Sequence, residues 1–389
     1  MLGLLLARAG VSVVVLEKHA DFLRDFRGDT IHPSTLEILD ELGLADRLLR
    51  ELPHSEVSHL EMRLPTGMQV TIDFRRLPTR FKFVAFVPQW DFLEFVTREA
   101  KRYPSFVLHT EAEVEDLIFD NGRVRGVRYK TPTGSAEVRA LLTVGADGRT
   151  SRVREAAGLP LIETAPPMDV LWFRVSRRPT DAESVGLVLS PGHFFALINR
   201  RDYWQVAYVI PKGAYDQVRV AGLEEFRRMF AEGVPDLADR AAEIQSWDQV
   251  KLLTVRADRL QRWYRDGVVC IGDAAHAMSP IAGVGINVAI QDAVEAANLL
   301  WRPLRSGKVG VRDLARVQRR RELAVRLTQG FQGFLQEQIL KPTLGSGGAQ
   351  PSVPPLIPLV MRLPVVRDLP ARLIGMGVWR PHVRTPLAG

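Results

Sequence analysis

Gly267-Val268-Val269-Cys270-Ile271-Gly272-Asp273-Ala274-Ala275-His276, with its continuation Met278-Ser279-Pro280-Ile281-Ala282-Gly283-Val284-Gly285-Ile286-Asn287, decides how this chain is read. A short run rich in β-branched residues, closed by a glycine and an acid, predicts a buried strand with a carboxylate at its end. Gly283 and Gly285 then open the helical pattern VAIQDAVEAANLL (288–300). A helix that starts behind glycines brings its backbone N–H groups close to an anionic ring or phosphate. Asp273 is placed to accept a hydrogen bond from a polyol hydroxyl. Cys270, inside the strand, is expected as a packed core residue rather than a nucleophile, and His276 as a hydrogen-bonded structural imidazole, with a catalytic role as the alternative.

A second strand-and-acid unit opens the chain. MLGLLLARA (1–9) predicts the last turns of a helix, Gly10 its C-cap, Val11 to Leu16 a buried strand, and Glu17 the acid at its carboxyl end. This is the order of the second half of a dinucleotide-binding βαβ unit, where the acid bonds a ribose hydroxyl about 20 residues after a Gly-rich phosphate loop. That loop and the first strand are therefore expected ahead of Met1. No secretory leader is expected, because the apolar run lacks a basic flank and Arg8 interrupts it.

Between the two units, Arg27 lies in the Phe26-Arg27-Gly28 loop, where a guanidinium can meet phosphates or a ring edge; a plain surface role is the alternative. LEILDELGL (36–44) predicts a helix capped by the Ser34/Glu37 pair. Val57 to Phe74 predicts a hairpin turning at Pro65-Thr66-Gly67, and Gln89 enters the helix DFLEFVTREAKR. Strands and turns follow from Val107 to Val144, and a further strand ends in Asp147-Gly148 ahead of a helix start at RTSRVREAAGL. From about 162 to 262, alternating stretches such as FFALINRRDYWQVAYVI predict an inserted sheet whose aromatic faces suit an apolar ligand, although core packing explains any one of them equally well. The basic stretch Arg302 to Arg326, with Arg319, Arg320 and Arg321 adjacent, is expected as a solvated helix face. After Lys341, GSGGAQPSVPP predicts a linker, followed by a Pro-interrupted segment that packs on the main body and leaves room for contact with a membrane surface.

Composition narrows the class. The chain has 389 residues, 46% of them hydrophobic and 25% charged, with one cysteine. At about 150 residues per domain this predicts two to three domains with ordinary cores and excludes a fibrous or disordered chain. No apolar run approaches the ~18 residues of a membrane span, so no transmembrane helix is expected. A single cysteine makes no intrachain disulfide, and the protein is expected to be cytoplasmic and without a metal. The net charge of +7 permits a polyanion partner. The basic residues alternate with acids and no nucleic-acid module accompanies them, so no nucleic acid is expected.

Taken in order, Glu17, the Arg27-Gly28 loop, Gln89, Asp147-Gly148 and the stretch from Gly272-Asp273 to Asn287 resemble the FAD-dependent aromatic hydroxylases related to para-hydroxybenzoate hydroxylase, from residue 1 to about 330. The resemblance implies that Glu17 binds the adenosine ribose, that Arg27 and Gln89 contact the FAD phosphate and flavin region, and that Val114 lies near the adenine. It implies that Asp273 holds the ribityl chain, that Gly283, Gly285, Ile286 and Asn287 face the isoalloxazine, and that the segment around Asp147 is shared between FAD and NAD(P)H. The implied fold is α/β: an FAD-binding Rossmann-like domain (1–52, 86–160, 263–330) lacking its first strand and phosphate loop, an inserted mainly β substrate domain (53–85, 161–262), and a C-terminal helical, Pro-rich tail (331–389). The implied activity is that of an oxidoreductase. This flavoprotein monooxygenase would use NAD(P)H and O₂ to hydroxylate an aromatic or apolar small molecule through a flavin C4a-hydroperoxide. No catalytic acid or base is identifiable from spacing. The alternatives are an N-terminally truncated, non-enzymatic remnant that binds FAD weakly, and a flavin reductase or halogenase on the same fold. Without the phosphate loop, the chain as written is expected to bind FAD weakly and to be poorly soluble.

Overall fold

The computed structural model describes residues 1–23, 30–63, 69–164, 166–181, 186–190, 192–200, 202–344 and 367–388. The helix Leu2–Arg8 is followed by Gly10, whose φ of +75° turns the chain into the strand Val13–Leu16. That strand pairs in parallel with Phe106–His109. A second parallel pair joins Thr143–Gly145 to Val268–Cys270, and Tyr264–Arg265 adds antiparallel on the far edge of the latter. The 21-residue helix Gly285–Arg305 serves both groups. Ile290, Val294 and Ala297 enter one core with Leu4, Leu5 and Phe95, while Ala293, Ala296 and Leu300 enter another with Val269 and Ile271. A helix apolar on two sides is buried between layers. This one carries both strand-and-acid units on a single rigid element.

The inserted half is a seven-stranded sheet in the order Lys251–Leu253, Met168–Ser176, Tyr203–Pro211, His193–Asn199, Gly186–Ser190, His59–Arg63, Gln69–Asp73. All neighbours are antiparallel except Gly186–Ser190 against His59–Arg63. Side chains alternate across a strand, and here both faces are used. Leu171, Phe173, Phe195 and Tyr208 form a core with Phe226 and Phe230 of the helix Leu223–Gly233. Val170, Trp172, Phe194, Ala196, Ala207 and Val209 face an open cleft. Two smaller sheets complete the fold: the meander Glu113–Asp120, Arg123–Thr131, Gly134–Arg139, and the triplet Thr30–Ile31, Val84–Phe86, Ser55–Val57.

The structure departs from the sequence reading in several places, beginning with the strand expected to be buried from Val11 to Leu16, which runs Val13–Leu16 and leaves Val14 42% exposed. The hairpin reading ran from Val57, but the paired hairpin strands are His59–Arg63 and Gln69–Asp73, while Ser55–Val57 belongs to the triplet; the predicted turn lies outside the described residues. The Ser34/Glu37 cap does not form. Pro33 takes the first helical position of Pro33–Glu41 with His32 as N-cap, so Ser34 falls inside the helix, and Glu37 pairs with Arg380 instead. Arg321 is not on a solvated face. It is 1% exposed and ion-paired to Asp292 at 2.7 Å, because an isolated buried guanidinium is tolerated only beside a carboxylate.

The C-terminal residues return across the nucleotide half. Ala371 and Ile374 of the helix Leu369–Gly375 pack with Phe74 and Leu77. Beyond them His382 Nδ1 meets Glu41 at 2.6 Å, Arg384 meets Glu295 at 3.5 Å, and Arg8 donates to the carbonyl of Thr385 at 2.6 Å. The predicted linker, within 345–366, lies outside the described residues. Among the described residues no helix is long and apolar enough to cross a membrane.

Candidate functional site

One continuous cleft of about 2240 Å³ runs between the nucleotide half and the inserted sheet. Sites for a single small ligand span roughly 300–1,000 Å³. The volume therefore accommodates a large cofactor and a second molecule together. Glu17, Gln89, Val114, Asp147, Asp273, Gly283, Gly285 and Ile286 all line it. Arg27 lies outside the described residues.

At one end Glu17 follows the first strand, with its Oε1 accepting the His19 amide at 3.0 Å, and Val114 stands in the first strand of the meander. Midway, Asp147 organises the turn into the helix Arg152–Ala156. Its Oδ1 accepts from Ser151 Oγ at 2.5 Å and its Oδ2 from the Val153 amide at 3.1 Å, and Ser151 in turn caps the helix by accepting the Arg154 amide. These bonds make Asp147 a shaper of the cleft wall. Asp273 is about one-third exposed and meets Arg149 Nε at 3.3 Å. The strand containing Cys270 ends just before it; burial, helped by Asp147, pushes that thiol up to about 12, so it stays a packed, protonated side chain.

The other end is the Gly283–Ile286 turn and the first turn of the long helix, whose initial amides have no partner within the helix. Gly283 has a φ of +61°, and a Cβ there would stand 2.5 Å from Thr30 Oγ1. Thr30 Oγ1 donates to the Gly283 carbonyl at 2.8 Å. Asn287 was expected to face the same space. It does not line the cleft: its Oδ1 accepts from the His32 amide at 2.9 Å and from Thr35 Oγ1 at 2.7 Å, and its Nδ2 donates to the Thr30 carbonyl at 2.9 Å. It pins the Thr30–Ile31 strand and the His32 cap to the glycine turn.

Behind Asp273, the Gly272 amide and His276 Nε2 both donate to Asp292 Oδ2, at 3.0 and 2.5 Å, while Arg321 Nε donates to Oδ1 at 2.7 Å. Arg321 also reaches Gln291 Oε1 at 3.1 Å and the Trp379 carbonyl at 3.0 Å. His276 thus has the structural role expected of it. Sequence reading did not single out Thr30, His32 or Arg149, which also line the cleft. His32 Nδ1 donates to the Ile374 carbonyl at 2.6 Å. Burial pushes its imidazole down to about 4, outweighing that bond, so at neutral pH it is uncharged. No local pattern marks these three; their partners lie far off in sequence.

Between the two parallel strand pairs the cleft wall is apolar, with Leu6, Val13 and Val15 on one side and Val144 and Ile271 on the other. The arrangement fits an extended dinucleotide ending in a flat ring. It offers an acid at one end, a carboxylate midway, and at the other end a turn whose glycines carry no side chain. Gly148, with φ +83°, adds a backbone surface with open space beyond it.

The chain is similar to known proteins. A family model described as FAD binding domain matches residues 1–329. The chain is 33% identical over 392 residues to 6-methylpretetramide 4-monooxygenase of Streptomyces rimosus, covering 99% of this chain and 91% of that protein. It shares its fold with the anhydrotetracycline hydroxylase OxyS of Streptomyces rimosus, at a TM-score of 0.73 and 23% identity over 100% of this chain and 75% of that one. The fold is shared too with Pseudomonas aeruginosa PqsL in complex with 2-aminobenzoylacetate, at a TM-score of 0.75 and 22% identity over 88% and 93% of the two chains.

Proposed function

The chain belongs to the FAD binding domain family and is an FAD-dependent monooxygenase; from this premise we propose that it takes electrons from NAD(P)H and uses O₂ to hydroxylate an aromatic molecule of several fused rings. The observation that supports this reading is the cleft floor, where Ala196 and Ala207 stand opposite each other in neighbouring strands between Trp172 and Leu187. Small residues flanked by large ones make a broad, shallow apolar bed for a flat molecule. The relative named for a pretetramide substrate agrees with a substrate of that shape.

In this reading Glu17 and Val114 take the adenosine end of FAD, Asp273 takes the ribityl chain, Gln89, Gly283, Gly285 and Ile286 take the ring, and Asp147 shapes the wall shared with NAD(P)H. Reduced FAD bound there supplies the oxygen-activating chemistry. The chain's own residues hold and orient the two flat molecules and exclude water. The nucleotide elements and the seven-stranded sheet act as separate cofactor and substrate units, and the protein works in the cytoplasm. With FAD-loaded protein, polycyclic phenols are expected to stimulate NAD(P)H oxidation and to gain one oxygen atom from labelled O₂, read by mass spectrometry. A broad panel that yields neither would sink the proposal.

Asp273→Ala is expected to weaken FAD binding about 10- to 100-fold, the equivalent of a charge-assisted hydrogen bond worth roughly 1.5–3 kcal/mol. The unfolding temperature of the flavin-free protein should barely move, because the Asp273 side chain caps nothing in the Gly272–Ala274 turn. Flavin retained through gel filtration, alongside the melting temperature of the apoprotein, checks both halves. Full retention removes Asp273 from the site.

A further inference from the structure

His32 stands at the glycine-turn end of the cleft, 1% exposed and held twice. Its amide donates to Asn287 Oδ1 at 2.9 Å, and Asn287 also holds the Thr30 carbonyl. Its ring is fixed separately, with Nδ1 2.6 Å from the Ile374 carbonyl of the C-terminal helix. A carbonyl oxygen only accepts, so Nδ1 carries the proton and donates it. Burial keeps the ring neutral. A neutral imidazole with its proton on Nδ1 presents a bare lone pair on Nε2. Among the described residues no donor meets that nitrogen, and it is not one of the sealed polar atoms of the interior. It therefore opens on the cleft that His32 lines.

The elements beside His32 present apolar side chains to the cleft: Val84 and Phe86 from the strand paired with Thr30–Ile31, and Ile374 itself. Ile198, at the end of the apolar bed, packs against the same cluster, so a molecule lying on the bed reaches this corner. An acceptor in an apolar wall forfeits its hydrogen bond until a ligand supplies a donor. The fixed tautomer decides which group fits. A hydroxyl brings a proton to Nε2, whereas an ether or an ionised oxygen brings only lone pairs. We propose that His32 is a specificity-determining residue whose Nε2 accepts a hydrogen bond from a protonated hydroxyl on the aromatic substrate, seating that edge of the ring system between the glycine turn and Ile374. This rests on the reading of the cleft as a site for flat aromatic molecules. It adds the group that is recognised and its protonation state.

The test measures binding to the FAD-loaded full chain by equilibrium dialysis, with β-naphthol and its methyl ether as probes. Both are flat fused-ring molecules, and at neutral pH only the naphthol offers a proton. The wild-type protein is expected to bind the naphthol about five- to tenfold more tightly than the ether, the effect of one neutral hydrogen bond. His32→Phe, which keeps a ring and removes the acceptor, should abolish that preference while leaving the ether's affinity and the flavin content within about twofold. His32→Gln, whose amide oxygen can accept, should keep part of it. In nitrogen NMR spectra of histidine-labelled wild type, the Nε2 resonance that His32→Gln removes should shift with the naphthol and stay in place with the ether. Equal affinity for the two probes in the wild type, or a preference that survives His32→Phe, overturns the proposal and leaves the substrate class standing. Should His32→Phe fail to hold FAD, the resonance decides: a shift specific to the naphthol upholds the proposal, and none assigns the nitrogen to the flavin and overturns it. Failure of both probes to bind removes the aromatic site itself, and with it the proposed substrate class.

Discussion

Asp292→Ala is expected to destabilise the protein by about 3–5 kcal/mol, the range measured when one partner of a buried ion pair is removed. Asp292 is fully buried and accepts hydrogen bonds from the Gly272 amide, from His276 and from Arg321, itself 1% exposed. Without the carboxylate the Arg321 charge is stranded in the core, and Gly272 loses the anchor that places Asp273. Burial alone would raise the Asp292 pKa, but the opposing pull of His276 and Arg321 outweighs it and holds the group at about 2. Because the folded value lies below the unfolded one, the contribution is complete above about pH 4 and is lost as the pH falls from 4 through 2. Urea unfolding should show this as an acid-side loss of stability in the wild type that is absent from the variant. Coupled replacement, Asp292→Leu with Arg321→Met, should recover much of the loss, since apolar substitutes for a whole buried pair are often neutral. A single-variant loss below about 1 kcal/mol would show that the network carries little of the stability.

Gly283→Val should remove nearly all flavin binding while leaving the fold in place. A β-branched residue at a φ of +61° is a true outlier, and the new Cβ would stand 2.5 Å from Thr30 Oγ1. The strain of about 1–2 kcal/mol and the loss of the Thr30 hydrogen bond, about 1 kcal/mol, can be relieved together if residue 283 leaves its present position. Ile281, Ala282 and Val284 beside Gly283 pack into the surrounding cores, so the movement is confined to the glycine itself and falls on the cofactor site. About 3 kcal/mol corresponds to a Kd for FAD raised on the order of 100-fold. Flavin titration of the apoprotein, with circular dichroism to confirm the fold, reads both. An unchanged Kd would mean that the Gly283 turn does not face the ring.

What the sequence disclosed was local. The run from Gly10 to Glu17 and the run from Gly267 to Gly285 each carry strand, acid and glycine signals within twenty residues or so, and the structure brings most of them to one cleft. Asn287 was legible as part of the motif, but not the direction of its amide, since its partners His32, Thr35 and Thr30 lie more than 250 residues away. Arg321 misled because it sits among exposed arginines on an amphipathic helix. The helical pitch turns it inward, and only pairing with Asp292, 29 residues earlier, makes that tolerable. The bed of Ala196 and Ala207 was invisible for a similar reason. Two alanines eleven residues apart carry no signal until the strand register sets them side by side.

The alternation of that central sheet also bears on how the protein can change. Phe194, Ala196 and Ile198 touch the cleft, whereas Phe195 and Leu197, their immediate neighbours, belong to the core beneath the helix Leu223–Gly233. Odd and even positions of one strand therefore answer to different selective demands. On the cleft side, Met168, Val170, Ala207 and Val209 are buried in a second cluster with Val255 and Leu340, so only the half-buried Trp172, Phe194, Ala196 and Ile198 can change and shift the preferred molecule without loosening the scaffold. A directed-evolution library confined to Trp172, Phe194, Ala196 and Ile198 would explore substrate range at nearly constant folding yield. The same library moved along by one residue would mostly sample unfolded protein.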